Sequence, residues 1–477
     1  MDVRTAERLL IGGEWVEGSG NTYELRNPFD GSLLARVPLA TPSEVETAVA
    51  STAAAFSVVS TMSAHRRAGL LYASADLISR DREVLARSIA SEGGKALKFA
   101  LGEVDRAAQT FRFAAEEAKC IHGETVPMDA AMGAERRLGF WLRVPRGPVA
   151  AISPFNFPLN LVAHKVAPAL AAGNSVLLKP ASSTPLTALH LGRLLMEAGW
   201  PAGTINIITG SGAVVGDALI SDSRIALVSF TGSATVGRGI LARAGLKRVI
   251  LELGSNSAVV VTEDADFRKV FPNIVAASFA NSGQICLSVQ RIYVHRSRWD
   301  EFGEQFVAHT KALRVGDPLD PTTDVGPMIS EDEAERAEHW IAEAIGAGAT
   351  LLVGGGRRGA VLMPTALSDV TPDMKVMAAE VFAPVVSLVP FATLDEAFAL
   401  ANDTVYGLQA GIFTESLDTA FQAVRSLDVG GVMVNDTSNF RVDHMPYGGM
   451  KGSGLGREGV RFAVEEMTEI KMVVLNL

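Results

Sequence analysis

The stretch NSGQICLSVQ, residues 281–290, carries Cys286, one of only two cysteines in the chain. A thiolate is a strong nucleophile and a good leaving group, so a cysteine in a small, polar, Gly-containing segment is a candidate for covalent catalysis. A buried structural thiol is the plainer alternative. VILELGSNS places Glu252 at the end of an apolar run. Burial there would raise its pKa toward the range of a general base, unless the carboxylate only caps a helix or braces a loop. In SPFNFPLN, Pro154 and Pro158 hold a short turn that would aim the Asn156 amide in a fixed direction, as an oxyanion requires. An Asn in a Pro-rich turn is as readily structural. LLKPASSTP sets Lys179 at the end of a buried strand, where open α/β sheets take ligands. A solvated strand-end lysine is the other reading. In ITGSGAVVGDAL, Gly210, Gly212 and Gly216 follow a strand and open a helix, the setting in which backbone amides meet a pyrophosphate. The spacing is GxGxxxG, so a tight turn needing small residues accounts for it equally well. FTGSATVG at 230–237 is a second such turn and strengthens the dinucleotide reading.

These residues need a scaffold, and the flanking patterns predict one. Residues 7–38 read as short strands and turns around NPFDG. From 42 to 119 apolar residues recur at helical spacing, and TPSEVETAVA opens with a Thr/Ser cap and acids. Residues 137–146 read as a strand. VAAISP, SVLLKP, TINIITG, IALVSFTGS and RVILELG are then strands separated by helices. Such alternation, with about 25 residues per unit, means a parallel, doubly wound sheet. A second alternating region runs from about 257 to 440 and includes a helix around Cys286. The tail ends in an alternating strand at 468–476.

Bulk properties narrow the class. A chain of 477 residues is long for one core and suggests two or three domains. Its net charge of −10 does not attract phosphate backbones, so nucleic acid is not an expected partner. Two cysteines cannot build a disulfide framework or a Cys-rich zinc site, and the histidines lack ligand spacing, so no metal is expected. MDVRTAERLL has no apolar signal region, and the apolar run near 148–178 is broken by Pro148, Pro154, Pro158, His164, Lys165 and Pro168. The reading is a cytoplasmic protein with no membrane partner.

The motifs, taken in order, resemble the aldehyde dehydrogenase superfamily. SPFNFPLN, LLKPASSTP, FTGSATVG, LELG, NSGQICLS, AEVFAPVV, YGLQAGIF and MPYGGMKGSGLGREG carry the resemblance, and IGGEWV with NPFDG extends it to the whole chain. The resemblance implies Cys286 as the catalytic thiol, Glu252 as the general base, and Asn156 with the Cys286 N–H as the oxyanion hole. It implies NAD or NADP as cofactor. Lys179 would hold a ribose, and Gly212, Gly216, Ser233 and Val236 the diphosphate and adenine region. Glu380 would hold the nicotinamide ribose, with Phe382 near the nicotinamide. Ile152, Pro154, Phe155, Ser182, Phe230 and Leu253 complete the implied cofactor surface. Ile285, Leu287 and Tyr447 fall at the substrate. Cys120 has no motif and reads as structural.

The implied fold is α/β: a Rossmann-like cofactor domain (1–122 and 144–254), an α/β catalytic domain (255–440), and a small β bridging or oligomerisation element (123–143 and 441–477). Pairing of the edge strand with another subunit would give a homodimer or homotetramer. Some positions depart from the common family pattern. Ser182 stands where NAD-preferring members carry a glutamate, which removes the repulsion of a 2′-phosphate and admits NADP. Arg441 and Arg106 fall near the substrate mouth. Together they would favour a small aldehyde carrying a carboxylate, phosphonate or sulfonate. Alternatively, Arg441 pairs with Asp443 and braces the loop. FRVDHMPYGG and KPASSTP resemble the branch of lactaldehyde, non-phosphorylating glyceraldehyde-3-phosphate and phosphonoacetaldehyde dehydrogenases. A CoA-acylating relative, a broad-range dehydrogenase of neutral aldehydes, a hydrolase using the same thiol, and a non-catalytic protein on this fold are the rival readings.

Overall fold

The structure is a computed structural model that describes residues 6–477. The first five residues, and with them half of the N-terminal stretch read above for a signal, lie outside the described residues. An eight-stranded sheet runs in the order Glu14–Val16, Leu9–Ile11, Ile205–Ile207, Val176–Lys179, Val149–Ile152, Leu227–Thr231, Arg248–Glu252, Gly454–Leu455. Its five inner strands are parallel and its outer pairings antiparallel. Every residue of Val149–Ile152 and Val176–Lys179 is buried, as expected for strands covered by helices on both faces. Strand order reverses between Val149–Ile152 and Leu227–Thr231. The chain therefore leaves these neighbouring strands in opposite directions and opens a crevice at their carboxyl ends, where α/β sheets bind ligands.

A second, seven-stranded sheet carries the thiol region. Its order is Thr350–Val353, Thr365–Ser368, Val385–Phe391, Arg291–His295, Ala258–Val261, Gln409–Phe413, Gly431–Val434. Helix Pro42–Val59 starts at a capping box between Thr41 and Glu44, so the cap read in TPSEVETAVA is made by those two side chains. A three-stranded antiparallel sheet joins Glu124–Val126, Arg137–Pro145 and Thr468–Asn476. Of the stretch 441–477, only Thr468–Asn476 enters this third sheet. Gly454–Leu455 adds to the first sheet, and Val460, Val464 and Met467 belong to its core. Ile470, Met472 and Val474 are exposed on an edge strand that pairs on one side only. No described helix is long and apolar enough to cross a membrane.

Two expectations are corrected here. Cys286 is not on a helix. Helix Phe267–Phe279 stops before it, and Asn281, Ser282 and Gly283 follow with φ of 51°, 56° and 67°. Three left-handed residues in a row turn the chain sharply, which a helix-period pattern cannot reveal. A Cβ on Gly283 would stand 2.0 Å from the Ala383 carbonyl oxygen, so only glycine fits. Gly283→Ala is expected to destabilise the fold by about 1–3 kcal/mol through backbone strain. Thermal melting checks it. Cys120 is not a packed structural thiol either. It ends helix Leu97–Cys120, exposed and free, because the helix turns its last residue outward.

Candidate active site

The crevice at the strand reversal widens into a cavity of about 400 Å³. Pro154, Phe155 and Asn156 line it from the turn after Val149–Ile152, Phe230 from within strand Leu227–Thr231, and Ser233 from the turn after that strand. Val236 and Leu253 add apolar walls, and Cys286, Glu380 and Phe382 close the far end. Phe155 meets Phe382 edge to face, with centroids 5.8 Å apart. The Ser255 N–H donates to Glu380 Oε1 at 2.9 Å, and a Cβ on Gly254 would collide with the same carboxylate. Burial pushes the Glu380 carboxyl up to about 7. It is thus the Ser255 backbone, not its side chain, that holds Glu380.

Five of the residues expected at the cofactor do not line this cavity: Ile152, Lys179, Ser182, Gly212 and Gly216. Ile152 ends the strand that leads into it. Lys179 is buried at its strand end and donates to the Pro180 carbonyl at 3.0 Å. Its desolvated ammonium is held down at about 8. The Ser182 hydroxyl donates to the Gly210 carbonyl at 3.1 Å. Gly212–Gly216 is a π-helical turn capped by Ser211, and Ser233 caps helix Ala234–Arg243 in the same way. Both Gly-rich turns therefore end as helix N-termini, the arrangement suited to a diphosphate.

On its other side Cys286 faces an inner chamber of about 30 Å³, lined by Arg106, Asn160, Ile285, Leu287, Arg441 and Tyr447. Arg106, Phe157, Ile285 and Asn439 also line a vestibule of about 570 Å³. The thiol thus stands between the large crevice and a small inner chamber. Burial pushes it up to about 12, and a hydrogen bond with the Tyr447 hydroxyl at 3.0 Å works the other way. Among the described residues no acceptor takes the Cys286 N–H. The Asn156 amide spends one hydrogen on the Gln284 carbonyl at 2.9 Å. An amide nitrogen has two, so one donor remains for an oxyanion.

Glu252 is buried, and neither of its oxygens has a partner. Burial first, and then the charge of Glu458, raise its pKa well above the usual range. Composition and spacing did not single out the groups around it. Glu458 takes Arg441 at 3.0 Å and Lys165 at 3.3 Å. Burial opposes its charge, but Lys165 and Arg441 hold its carboxyl well below the usual range. The sequence pairing of Arg441 with Asp443 is corrected: Asp443 binds Arg106 at 2.8 Å, His164 at 2.9 Å and Asn160 at 3.0 Å. Burial and the charge of Arg441 lower the His164 pKa, and its Nε2 stands 2.9 Å from the Asp443 carboxylate. The available signal was His164–Lys165 inside an otherwise apolar run: two such side chains buried on one helix need acids brought from elsewhere.

A parallel-sheet crevice that meets a buried thiol, a partnerless carboxyl and a preorganised amide fits a nicotinamide-dependent dehydrogenase. The chain belongs to the aldehyde dehydrogenase family, whose model matches residues 15–473. It is 48% identical over 469 residues to a 3-sulfolactaldehyde dehydrogenase of Priestia aryabhattai, covering 98% of each chain. It is 45% identical to aspartate-semialdehyde dehydrogenase 1 of Pseudomonas canavaninivorans, covering 95% of this chain and 96% of that one. Among solved structures, aldehyde dehydrogenase 21 from Physcomitrella patens, in complex with the reaction product succinate, superposes with a TM-score of 0.97. It shares 40% identity and covers 99% of this chain and 98% of that one. Glyceraldehyde-3-phosphate dehydrogenase GapN from Methanocaldococcus jannaschii, complexed with NADP, superposes at 0.93 with 39% identity, covering 96% of this chain and all of that one. The protein is an NAD(P)-dependent aldehyde dehydrogenase with a Rossmann-like cofactor domain and an α/β catalytic domain.

Proposed function

We propose that the protein oxidises a small aldehyde bearing an anionic group to its carboxylic acid, with NAD or NADP. One observation carries the substrate class: Arg106 and Arg441 both line the chamber that ends on Cys286, and the Arg441 Nε is buried with no partner. A carboxylate, sulfonate or phosphonate entering the chamber would supply the missing acceptor. The names of its relatives, which include a sulfonated and a carboxylated aldehyde, agree with this reading.

The Cys286 thiolate attacks the carbonyl carbon and forms a thiohemiacetal. The free Asn156 N–H and the Cys286 N–H stabilise the oxyanion. A nicotinamide cofactor would be held by Glu380, Phe382 and the two capped helix N-termini, and when bound it supplies the hydride acceptor. Glu252 then takes a proton from water as the water hydrolyses the thioester. The presence of a buried carboxyl for that step favours hydrolysis over transfer to CoA.

A panel of neutral, hydroxylated, carboxylated, sulfonated and phosphonated aldehydes, each with NAD and NADP, tests the substrate class. An anionic member is expected to exceed its neutral counterpart at least about tenfold in kcat/KM, as one charge-assisted contact allows. Arg106→Leu is the sharper variant, since Asp443 would keep His164 and Asn160, whereas Arg441→Leu would leave buried Glu458 with Lys165 as its one side-chain partner among the described residues. It is expected to raise KM for the anionic aldehyde and leave that for a neutral one unchanged. A flat panel sinks the reading. The division of the chain at 122, 144, 254 and 440, a cytoplasmic location, and a dimer or tetramer built on the edge strand Thr468–Asn476 belong to the same proposal. Light scattering that finds a stable monomer at micromolar concentration would refute the assembly.

A further inference from the structure

We propose that Tyr447 is a further catalytic residue, whose hydroxyl donates a hydrogen bond to the Cys286 thiolate with Arg441 stacked on its ring. This rests on Cys286 as the nucleophile. The hydroxyl lies 3.0 Å from Sγ and has no other hydrogen-bond partner among the described residues. Tyr447 is itself buried, and its backbone is locked to Glu458 in both directions, at 3.0 Å and 2.7 Å. That same Glu458 holds Arg441, whose guanidinium stands 3.6 Å from the centre of the Tyr447 ring. One short bridge of backbone thus fixes the phenol, the cation over it and the acid that orients the cation.

The arrangement answers a physical need. Ile285, Leu287, Leu408 and Tyr447 form an apolar cluster against the thiol. A sulfur anion formed there leaves water behind and needs a donor. The charged and titratable groups that act on it are Tyr447, Arg441, Glu380 and Glu252. The two carboxyls oppose the anion, so only Tyr447 and Arg441 favour it. A cation over the ring draws electron density from the phenol and strengthens its O–H as a donor.

Ionisation breaks the S–H bond, and the proton leaves to water. Tyr447 keeps its own proton throughout. The thiolate lone pair then forms the S–C bond as the carbonyl π bond opens to the oxyanion. When water cleaves the thioester, the sulfur returns as a thiolate to the same donor.

Alkylation by iodoacetamide reads this without any aldehyde. The rate of Cys286 carbamidomethylation, resolved from that of the exposed Cys120 by peptide mass spectrometry, is followed against pH for the parent protein, Tyr447→Phe and Arg441→Gln, with melting temperatures recorded alongside. Tyr447→Phe keeps the ring and removes the donor. Its profile is expected to move to higher pH, with alkylation slowed about tenfold at pH 8, the size of a hydrogen bond to a charged group. Arg441→Gln is expected to move it in the same direction by less, and Tyr447→Leu, which also lacks the donor, is read in its place if Tyr447→Phe does not fold. A merely structural role would not displace the pH profile. Unchanged or faster alkylation in a folded variant overturns the proposal. Alkylation that leaves turnover of the parent protein intact instead overturns Cys286 as the nucleophile.

Discussion

Cys286→Ala is expected to abolish turnover, with kcat falling by at least about four orders of magnitude, as loss of a covalent nucleophile does. Cys286 and Leu161 line both the crevice and the inner chamber, and of the two only Cys286 carries a nucleophile. Cofactor binding is expected to survive. Cys286 touches only the end of the crevice, while Phe155, Phe230, Val236 and Leu253 form its walls. Fluorescence titration with the reduced nicotinamide should therefore give a Kd within about threefold of the parent protein, given how little contact area is lost. Cys286→Ser should be nearly as inactive, because a hydroxyl without an adjacent base is scarcely ionised near neutral pH. Residual activity within a hundredfold of the parent would remove Cys286 from the mechanism.

Glu252→Gln is expected to separate the two halves of the reaction. Acylation needs the thiol and the oxyanion donors, and hydrolysis needs a base. The variant should release about one equivalent of reduced nicotinamide per site in a burst and then stall, with steady-state kcat lowered about 10²–10⁴-fold. Mass spectrometry should find the acyl group on Cys286. The pH profile supplies a second readout. Burial and Glu458 raise the Glu252 pKa, so the parent loses hydrolysis as pH falls through that raised value and the carboxyl gains a proton. Glutamine cannot titrate, so this acid limb should vanish. Stability moves the other way. A carboxyl whose folded pKa is raised contributes stability that is present below its unfolded pKa and lost as pH rises through the folded one. Above that window Glu252→Gln should melt higher than the parent. A burst-free variant with an unchanged acid limb would assign the base elsewhere.

Much of the architecture was legible in the chain because the signals are local. Runs such as VAAISP and SVLLKP are buried on both faces, and periodicity reports that directly. Cys286, Glu252 and Asn156 could be singled out because each sits in a stretch whose residue types restrict what it can be. The helix expected around Cys286 failed for an equally local reason. Three successive positive-φ residues, two of them not glycine, override the apolar spacing, and distant segments hold them there: Asn281 donates to the Asn156 carbonyl, Ser282 to the Gly326 carbonyl, and Gly283 lies close against Ala383.

The partners of the buried charges were beyond reach. Asp443 is near Arg441 in the chain yet binds Arg106, and Arg441 takes Glu458 instead. Sequence proximity favours the first pairing. The fold favours the second, because a buried cation must sit where an acid is desolvated with it, and only the packed helices and loops decide which acid that is. The motifs sufficed for the class of chemistry, since an amide, Gly-rich strand-end turns, a carboxyl and a thiol occur in the order of the family that the chain resembles. Tertiary structure alone decided which cavity lies on each side of the thiol, and set a phenol and a cation against the sulfur. Those are distances between segments far apart in the chain, and no pattern of residue types encodes a distance.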